Sequence, residues 1–302
     1  MSRGLKLVLV AAAVTVAAGL AFWMAASLGP RNAHHGAEPT LERLVRTGRV
    51  RIGVAPRTPF ARVHQDGSID GASVDLARTI LGQMGMKSVK LVSASGPGAL
   101  IAKLHSGEID LIAAGLEISP EHCRAVSFSS PVYVTRPALL TRRGNPLGLI
   151  SLEGIAANPR ARLGVPPHSH SLAYAIAANI PDERLMEVGT GQAAAALAGG
   201  RIDAYLDESL AIKKLLAAHP GAGLERADPF VLPKLRGVQV RHYHAFAFRP
   251  EDAPFRASFN QHLVAFIGSQ AHLDMIRPYG LDAHDLSDRR NPDSVCTGEA
   301  DH

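Results

Sequence analysis

The sequence predicts an α/β fold in two lobes, the second inserted in the first through two crossing strands. Three observations carry that prediction. From residue 40 the chain alternates short apolar runs with segments of helical period, the order that builds α/β layers. The alternation restarts beyond a polar turn, Arg142-Arg-Gly-Asn-Pro146, and a late apolar run, Arg241-His-Tyr-His-Ala-Phe-Ala-Phe248, leads back to the first lobe. A length of 302 residues suffices for a core divided between two lobes.

The N-terminus is a targeting segment. Arg3 and Lys6 form a basic start, Leu7 to Met24 is almost wholly apolar, and Ala25-Ala-Ser27 supplies small residues for cleavage. Residues 1–28 read as a signal peptide or, because the run is long enough to span a bilayer, as an uncleaved membrane anchor. Either places the body outside the cytoplasm. Residues 29–39, rich in Gly, Pro, Asn and His, read as a tether.

Lobe one is expected over 40–140 and 242–288. Thr40 to Thr47 is a short helix, and Arg49 to Val54 a strand with Val50, Ile52 and Val54 alternating. Asp66-Gly67 signals a hairpin. The helix opened by Gly71 carries Val74, Ala77, Leu81 and Met84 on one face, with Gly85 to end it. Lys87 to Val92 is a strand, Gly98 to Gly107 a helix, and Ile109 to Ala114 a further strand. Arg136 to Thr141 crosses into lobe two, expected over 141–241. There Leu163-Gly-Val165 is a strand, Ser169 to Ala178 and Gln192 to Leu197 are helical, and Ile202 to Leu206 is a buried strand that ends on Asp207. A second crossing strand lies near 239–246. Pro254 to Ile267 and His272 to Met275 supply closing helices before a polar tail, 289–302.

Composition excludes one class. The formal charge is +5, two units of it from Arg3 and Lys6, and the remaining basic residues are scattered. A nucleic-acid surface needs a basic stripe interleaved with stacking rings, and neither is present. The two cysteines, Cys123 and Cys296, form an even count in an oxidising compartment, which favours pairing over two separate thiols. A bridge would clip the tail to lobe one.

The most informative stretch runs from Ala113 to Tyr133. A strand there delivers its C-terminal end to a loop, and Ser119-Pro120 opens a helical turn, the arrangement at which open α/β sheets bind ligands. Its wording, with Gly107-Glu-Ile-Asp110 before it, then Ile118-Ser119-Pro120-Glu121-His122 and Phe128-Ser129-Ser130-Pro131, resembles the family 3 periplasmic solute-binding proteins of ABC importers. The resemblance covers about residues 40 to 288. Glu121-His-Cys123, Asn158-Pro159, Asp228-Pro-Phe230 and Phe246-Ala-Phe-Arg-Pro are similar to the ectoine- and hydroxyectoine-binding branch. It implies a type II binding-protein fold, and a monomer that closes on a small polar or zwitterionic ligand, amino acid or ectoine-like, and delivers it to permease subunits. No enzyme activity and no cofactor are implied, and the place is the periplasm, with membrane contact only through an uncleaved N-terminus.

The resemblance also assigns a pocket. Phe60 falls where an aromatic packs over the ligand, and Arg57 where the ectoine branch has an acid. Glu117 and Ser119 precede the helical turn. Glu117 and Pro97 stand where that branch has cage aromatics, so two walls of the cation cage are missing. His122 takes the place of the family's carboxylate-gripping Arg and exchanges a bidentate, permanently charged fork for single donors. Ser169 matches a carboxylate contact at a helix N-terminus, with His168 in place of the preceding Gly. Asp207 matches the acid that meets an α-amino group. Acids facing a weakened carboxylate clamp point to a ligand more cationic than a plain amino acid. Imidazoles at His168, His170, His242 and His244 permit a metal, but no spacing matches a metal motif and none is expected. Two other readings remain: a membrane-tethered sensor or partner with a degenerate pocket, and a dehydratase-type enzyme on the same fold.

Overall fold

The computed structural model describes residues 38–235, 237–288 and 290–297. The expected signal or anchor segment and nearly all of the tether lie outside these residues. Among the described residues no helix is long and apolar enough to cross a membrane.

Lobe one opens with α1 (Thr40–Thr47), β1 (Arg49–Val54), the hairpin β2 (Arg62–Val63) and β3 (Ile69–Asp70), α2 (Ala72–Gln83), β4 (Ser88–Ser93), α3 (Pro97–His105) and β5 (Leu111–Glu117). A single helical turn, α4 (Pro120–Cys123), leads to β6 (Ser127–Phe128) and β7 (Tyr133–Thr135). Lobe two contains β8 (Pro137–Arg142), α5 (Leu152–Ala157), β9 (Leu163–Val165), α6 (His170–Ala177), β10 (Leu185–Glu187), α7 (Thr190–Ala198), β11 (Ala204–Glu208), α8 (Ser209–Ala218) and β12 (Leu224–Arg226). A small hairpin, β13 (Lys234–Leu235) and β14 (Val238–Gln239), precedes β15 (His242–Phe248), α9 (Ala253–Phe266), α10 (Gln270–Ile276) and α11 (Pro292–Thr297).

Two sheets result. The first has the order β4-β1-β5-β15-β6, with β7 also paired to β15, and the second β10-β9-β11-β8-β12. The chain leaves the first sheet after β7 and re-enters it at β15, so one lobe is an insertion in the other. Strands β1, β4 and β5 are parallel, as are β9, β10 and β11. β5 and β15 are buried along almost their whole length, which explains their unbroken apolar runs. Each sheet is packed on both faces. Leu76, Ile80 and Leu81 of α2 join Phe255 and Phe259 of α9 on one face of the first, and Leu100 and Leu104 of α3 cover the other.

Both lobes solve one problem in the same way. Asp110, just before β5, is fully buried, accepts from the Arg51 backbone N–H at 2.8 Å, and pairs with the guanidinium groups of Arg51 and Arg43. Asp203, just before β11, accepts from the Arg162 N–H at 3.1 Å and pairs with Arg162 and Arg142. A buried carboxylate needs partners of this kind. The aspartate of the Gly107-to-Asp110 motif therefore pins the entry to a strand and lies away from the cleft.

Several boundaries move. β5 extends to Glu117 rather than Ala114, and β11 extends to Glu208, so Asp207 stands one residue before the strand's end. The polar tail contains α11, held down by a Cys123–Cys296 disulfide with Cα atoms 5.9 Å apart. The expected pairing is present.

Candidate functional site

The C-terminal ends of β1, β5, β9 and β11 converge between the two sheets, where open α/β layers leave room for a ligand. Two neighbouring cavities occupy this cleft. The larger, about 590 Å³, is lined by Arg57, Phe60, Thr135, Ser169, Thr190 and Asp207 among others. The smaller, about 270 Å³, is lined by Arg57, Glu117, Thr135, His168, Ser169, His170, Glu208 and His242. Both draw on both lobes.

Five of the seven sequence-derived residues line these cavities, each placed by an identifiable local cause. Arg57 sits in the loop after β1, held by a bridge to Ala61, with its guanidinium 6.0 Å from the Phe60 ring. Phe60 reaches the cavity wall, yet it is 2% exposed and its ring packs on Tyr133 at 5.2 Å and His244 at 4.9 Å, so most of its surface serves the core. Glu117 ends β5. Ser169 caps α6, its Oγ accepting from the Leu172 N–H at 3.2 Å and donating to the Pro166 carbonyl at 2.6 Å. Its hydroxyl is thus already committed to the turn. The other two, Ser119 and His122, line neither cavity. Ser119 caps α4, and Nδ1 of His122 lies 2.8 Å from the Glu117 carbonyl oxygen, so the imidazole in the place of the family's Arg ties the turn to the strand end.

Asp207 is 7% exposed. It accepts from Thr190 Oγ1 at 2.9 Å, from the Tyr205 hydroxyl at 3.4 Å and from the Glu208 N–H at 2.8 Å. Burial pushes its carboxyl above the usual range, against the opposing pull of these hydrogen bonds. Among the described residues no Lys, Arg or His pairs with it. Beside it, both carboxylate oxygens of Glu208 are buried without a hydrogen-bond partner, and Nε2 of His242 lies 3.4 Å from one of them.

Residues outside the assigned pocket complete the site: His170 and His242, read from sequence only as imidazoles that permit a metal, and Tyr174 and Glu208, which sequence reasoning left out. His242, the first residue of β15, places Nδ1 2.7 Å from Glu117 Oε1, and its Nε2 lies 2.8 Å from the Tyr174 hydroxyl of lobe two. Its ring stacks on that of His170 at 4.7 Å and 12°. Burial raises the Glu117 carboxyl, but the hydrogen bond and charge of His242 outweigh it and draw the group down to about 2. Burial lowers His242, and Glu117 together with Glu208 more than reverses this, so its net direction is upward. Each group thus favours the charged form of the other. His244, two residues on, behaves differently. It is 1% exposed, lies 3.1 Å from the Gly115 carbonyl and 3.2 Å from Thr135 Oγ1, and is pushed down to about 3, chiefly by burial. It is a neutral strut beneath the site. Glu117, His170 and His242 bring one donor atom each within 4.8 Å of one another. The only sequence signal for this was the alternation in His242-Tyr-His244 and His168-Ser-His170. The third donor, Glu117, was placed in the pocket from sequence, but its juxtaposition with the imidazoles of His170 and His242 was not foreseen.

Comparisons with known proteins agree with this architecture. The model of the bacterial extracellular solute-binding proteins, family 3, matches residues 50–279. A probable amino-acid ABC transporter periplasmic-binding protein of Sinorhizobium fredii is 29% identical over 269 residues, 88% of this chain and 86% of its own. The ABC transporter arginine-binding protein 1 of Escherichia coli is 23% identical over 219 residues, 72% of this chain and 84% of its own. The crystal structure of EhuB in complex with hydroxyectoine is 32% identical, with a TM-score of 0.57, covering 85% of this chain and 97% of that one.

Proposed function

The chain belongs to the bacterial extracellular solute-binding proteins, family 3, and on that premise we propose that it captures a small ligand carrying an ammonium or similar cationic group between its lobes and delivers it to an ABC permease. The observation that carries the ligand class is the pair of carboxylates on lobe two. Asp207 is buried with three neutral hydrogen-bond donors but no cation beside it, and Glu208 has buried oxygens with no hydrogen bond, the nearest basic group being His242 Nε2 at 3.4 Å. Burying such groups costs several kcal/mol unless a cation or donor arrives. A ligand ammonium in the larger cavity would supply both, and a carboxylate on the same ligand would meet Arg57 on lobe one.

The relatives named above are a probable amino-acid binder, an arginine binder and a hydroxyectoine complex. All three ligand types carry a nitrogen cation, which this acid-lined cleft suits. The family's carboxylate fork has no counterpart at His122, so the anionic end of a zwitterion must rely on Arg57 and on amides at the start of α6. We read the protein as a monomeric binder rather than an enzyme, exported to the periplasm.

The test is a thermal-shift screen of exported protein, stripped of carried-over ligand by unfolding and refolding, against amino acids, ectoines, betaines and polyamines. A ligand at about a hundred times its dissociation constant adds roughly 2.7 kcal/mol, a shift of several degrees. Stabilisation by a cationic or zwitterionic compound is the expected result. Silence across the panel, from a protein that melts cooperatively, would favour a partner protein with a degenerate pocket.

A further inference from the structure

We propose that the smaller cavity is a binding site for a divalent transition-metal ion, held by the carboxylate of Glu117 and the imidazoles of His242 and His170. The proposal stands on its own donors and does not depend on the organic ligand suggested above. The three donor atoms already lie within 4.8 Å of one another. Metal–nitrogen and metal–oxygen bonds near 2.1 Å set tetrahedral ligands about 3.4 Å apart, so His170 must approach and the 2.7 Å Glu117–His242 pair must open slightly.

The donor set selects the metal. Two imidazoles and one carboxylate suit zinc, nickel, copper or cobalt, whereas calcium and magnesium prefer all-oxygen shells. Three protein ligands leave a fourth position, and it opens on the cavity of about 270 Å³ shared by Ser169 and His168. His168 holds a left-handed backbone, φ +51°, which is uncommon for a residue with a side chain and recurs at binding loops.

The surroundings of His242 support the same reading. Its Nδ1 faces Glu117 Oε1 at 2.7 Å, and an ion would take the place of the proton between them. Its other nitrogen has the Tyr174 hydroxyl at 2.8 Å and a Glu208 oxygen at 3.4 Å. An oxygen partner on the far nitrogen is what fixes and polarises a metal-bound histidine. The Arg57 guanidinium lines the same cavity and opposes a cation, but Glu117 and Glu208 outnumber it.

One movement is required. A metal lies in the plane of the imidazole it binds, so the stacked ring of His170 must turn out of its parallel arrangement on His242. His170 is exposed at the start of α6, and that rotation disturbs no core packing. Because Glu117 and His242 belong to the first sheet and His170 to lobe two, the bound ion would also link the lobes.

The experiment is calorimetric titration of the full exported chain, stripped with chelator, with zinc chloride alone, and in parallel with cobalt chloride, followed by visible absorption. One ion per chain is expected, with a cobalt spectrum of tetrahedral or five-coordinate type. His170→Ala and Glu117→Gln should each weaken binding at least ~10-fold, and Tyr174→Phe about 10-fold through loss of the outer partner. His105→Ala, an exposed imidazole bonded to the Ala125 carbonyl, and a His34→Ala/His35→Ala variant should bind as wild type. Absence of stoichiometric uptake, or uptake unchanged in His170→Ala, would overturn the proposal. An amino acid that stabilises the stripped protein while zinc does not bind would remove the metal site and leave the solute-binding reading intact.

Discussion

Asp207 sets two demands against each other. As a buried carboxylate without a cation it destabilises the free protein, and as a waiting acceptor it is what a cationic ligand would meet. Its folded-state pKa is raised, so the stability it permits is fullest when it is protonated and is lost as pH rises through that folded value. Asp207→Asn should therefore make the free protein melt higher at neutral pH and flatten this part of the pH dependence. The same change should weaken the binding of a cationic ligand at least ~30-fold, since removing one partner of a buried charge pair typically costs 2 kcal/mol or more. Melting curves and titration on one preparation check both, and a variant that binds normally removes Asp207 from the site. Asp207 and Ser169 could be placed at the cleft from sequence because one nearly ends a buried strand and the other begins a helix. His242 and Glu208 could not. Their position depends on β15 returning from lobe two to lie beside β5, and no local pattern encodes which strand becomes a neighbour. His122 shows the converse: spacing located it correctly on the helical turn, while its ring is bonded to a backbone carbonyl that spacing does not reveal.

At the level of elements, β5 is the strand on which the site depends, and it is irregular. Gly115 has φ +61°, its carbonyl faces His244, and the pairing of β15 with β5 shifts register between Ala245 and Ala247. A Cβ at Gly115 would fall within the Phe60 ring. Gly115→Ala combines a left-handed conformation with overpacking, so a loss of about 3 kcal/mol is expected, together with a displaced Glu117. Chemical denaturation measures the first, and a ligand or metal titration the second. A stability within ~0.5 kcal/mol of wild type would show that β5 can relax here. The disulfide supplies a second test. It closes 173 residues and fastens α11 beside α4, so Cys296→Ser should cost on the order of 3 kcal/mol. Protease should then cut first in α11. The order of strands and helices was legible because each long apolar run has a clear period. The short elements β10, β12, α5 and α11 were not, because three to six residues hold too little period and tertiary contacts decide them, and the ten-residue α8 was missed as well.

For the whole molecule, the question is how the lobes hold each other. Direct links cross the cleft from lobe two: the Tyr174 hydroxyl and the Glu208 carboxylate meet His242, and the His170 ring stacks on it. A second group joins lobe two to the C-terminal turn: Lys213 of α8 pairs with Asp282 and Asp285, and Arg136 donates to the His284 carbonyl. His242 itself pairs with Thr135 beside the crossings, and its links to Tyr174, Glu208 and His170 are expected to form on closure while those of Lys213 and Arg136 persist. A ligand closes such a protein by its differential affinity for the closed state, and observed affinity scales with the fraction already closed. Removing the Tyr174 hydroxyl deletes one buried hydrogen bond specific to closure, worth ~1 kcal/mol, or about fivefold in that fraction. Tyr174→Phe should thus need up to about fivefold more organic ligand to reach half-saturation. Small-angle scattering should give both proteins the same smaller radius of gyration at saturation, and the variant the larger radius without ligand. Equal affinities and equal unliganded radii would mean that His242 and Tyr174 stay together through the motion, which would assign the pair to the hinge.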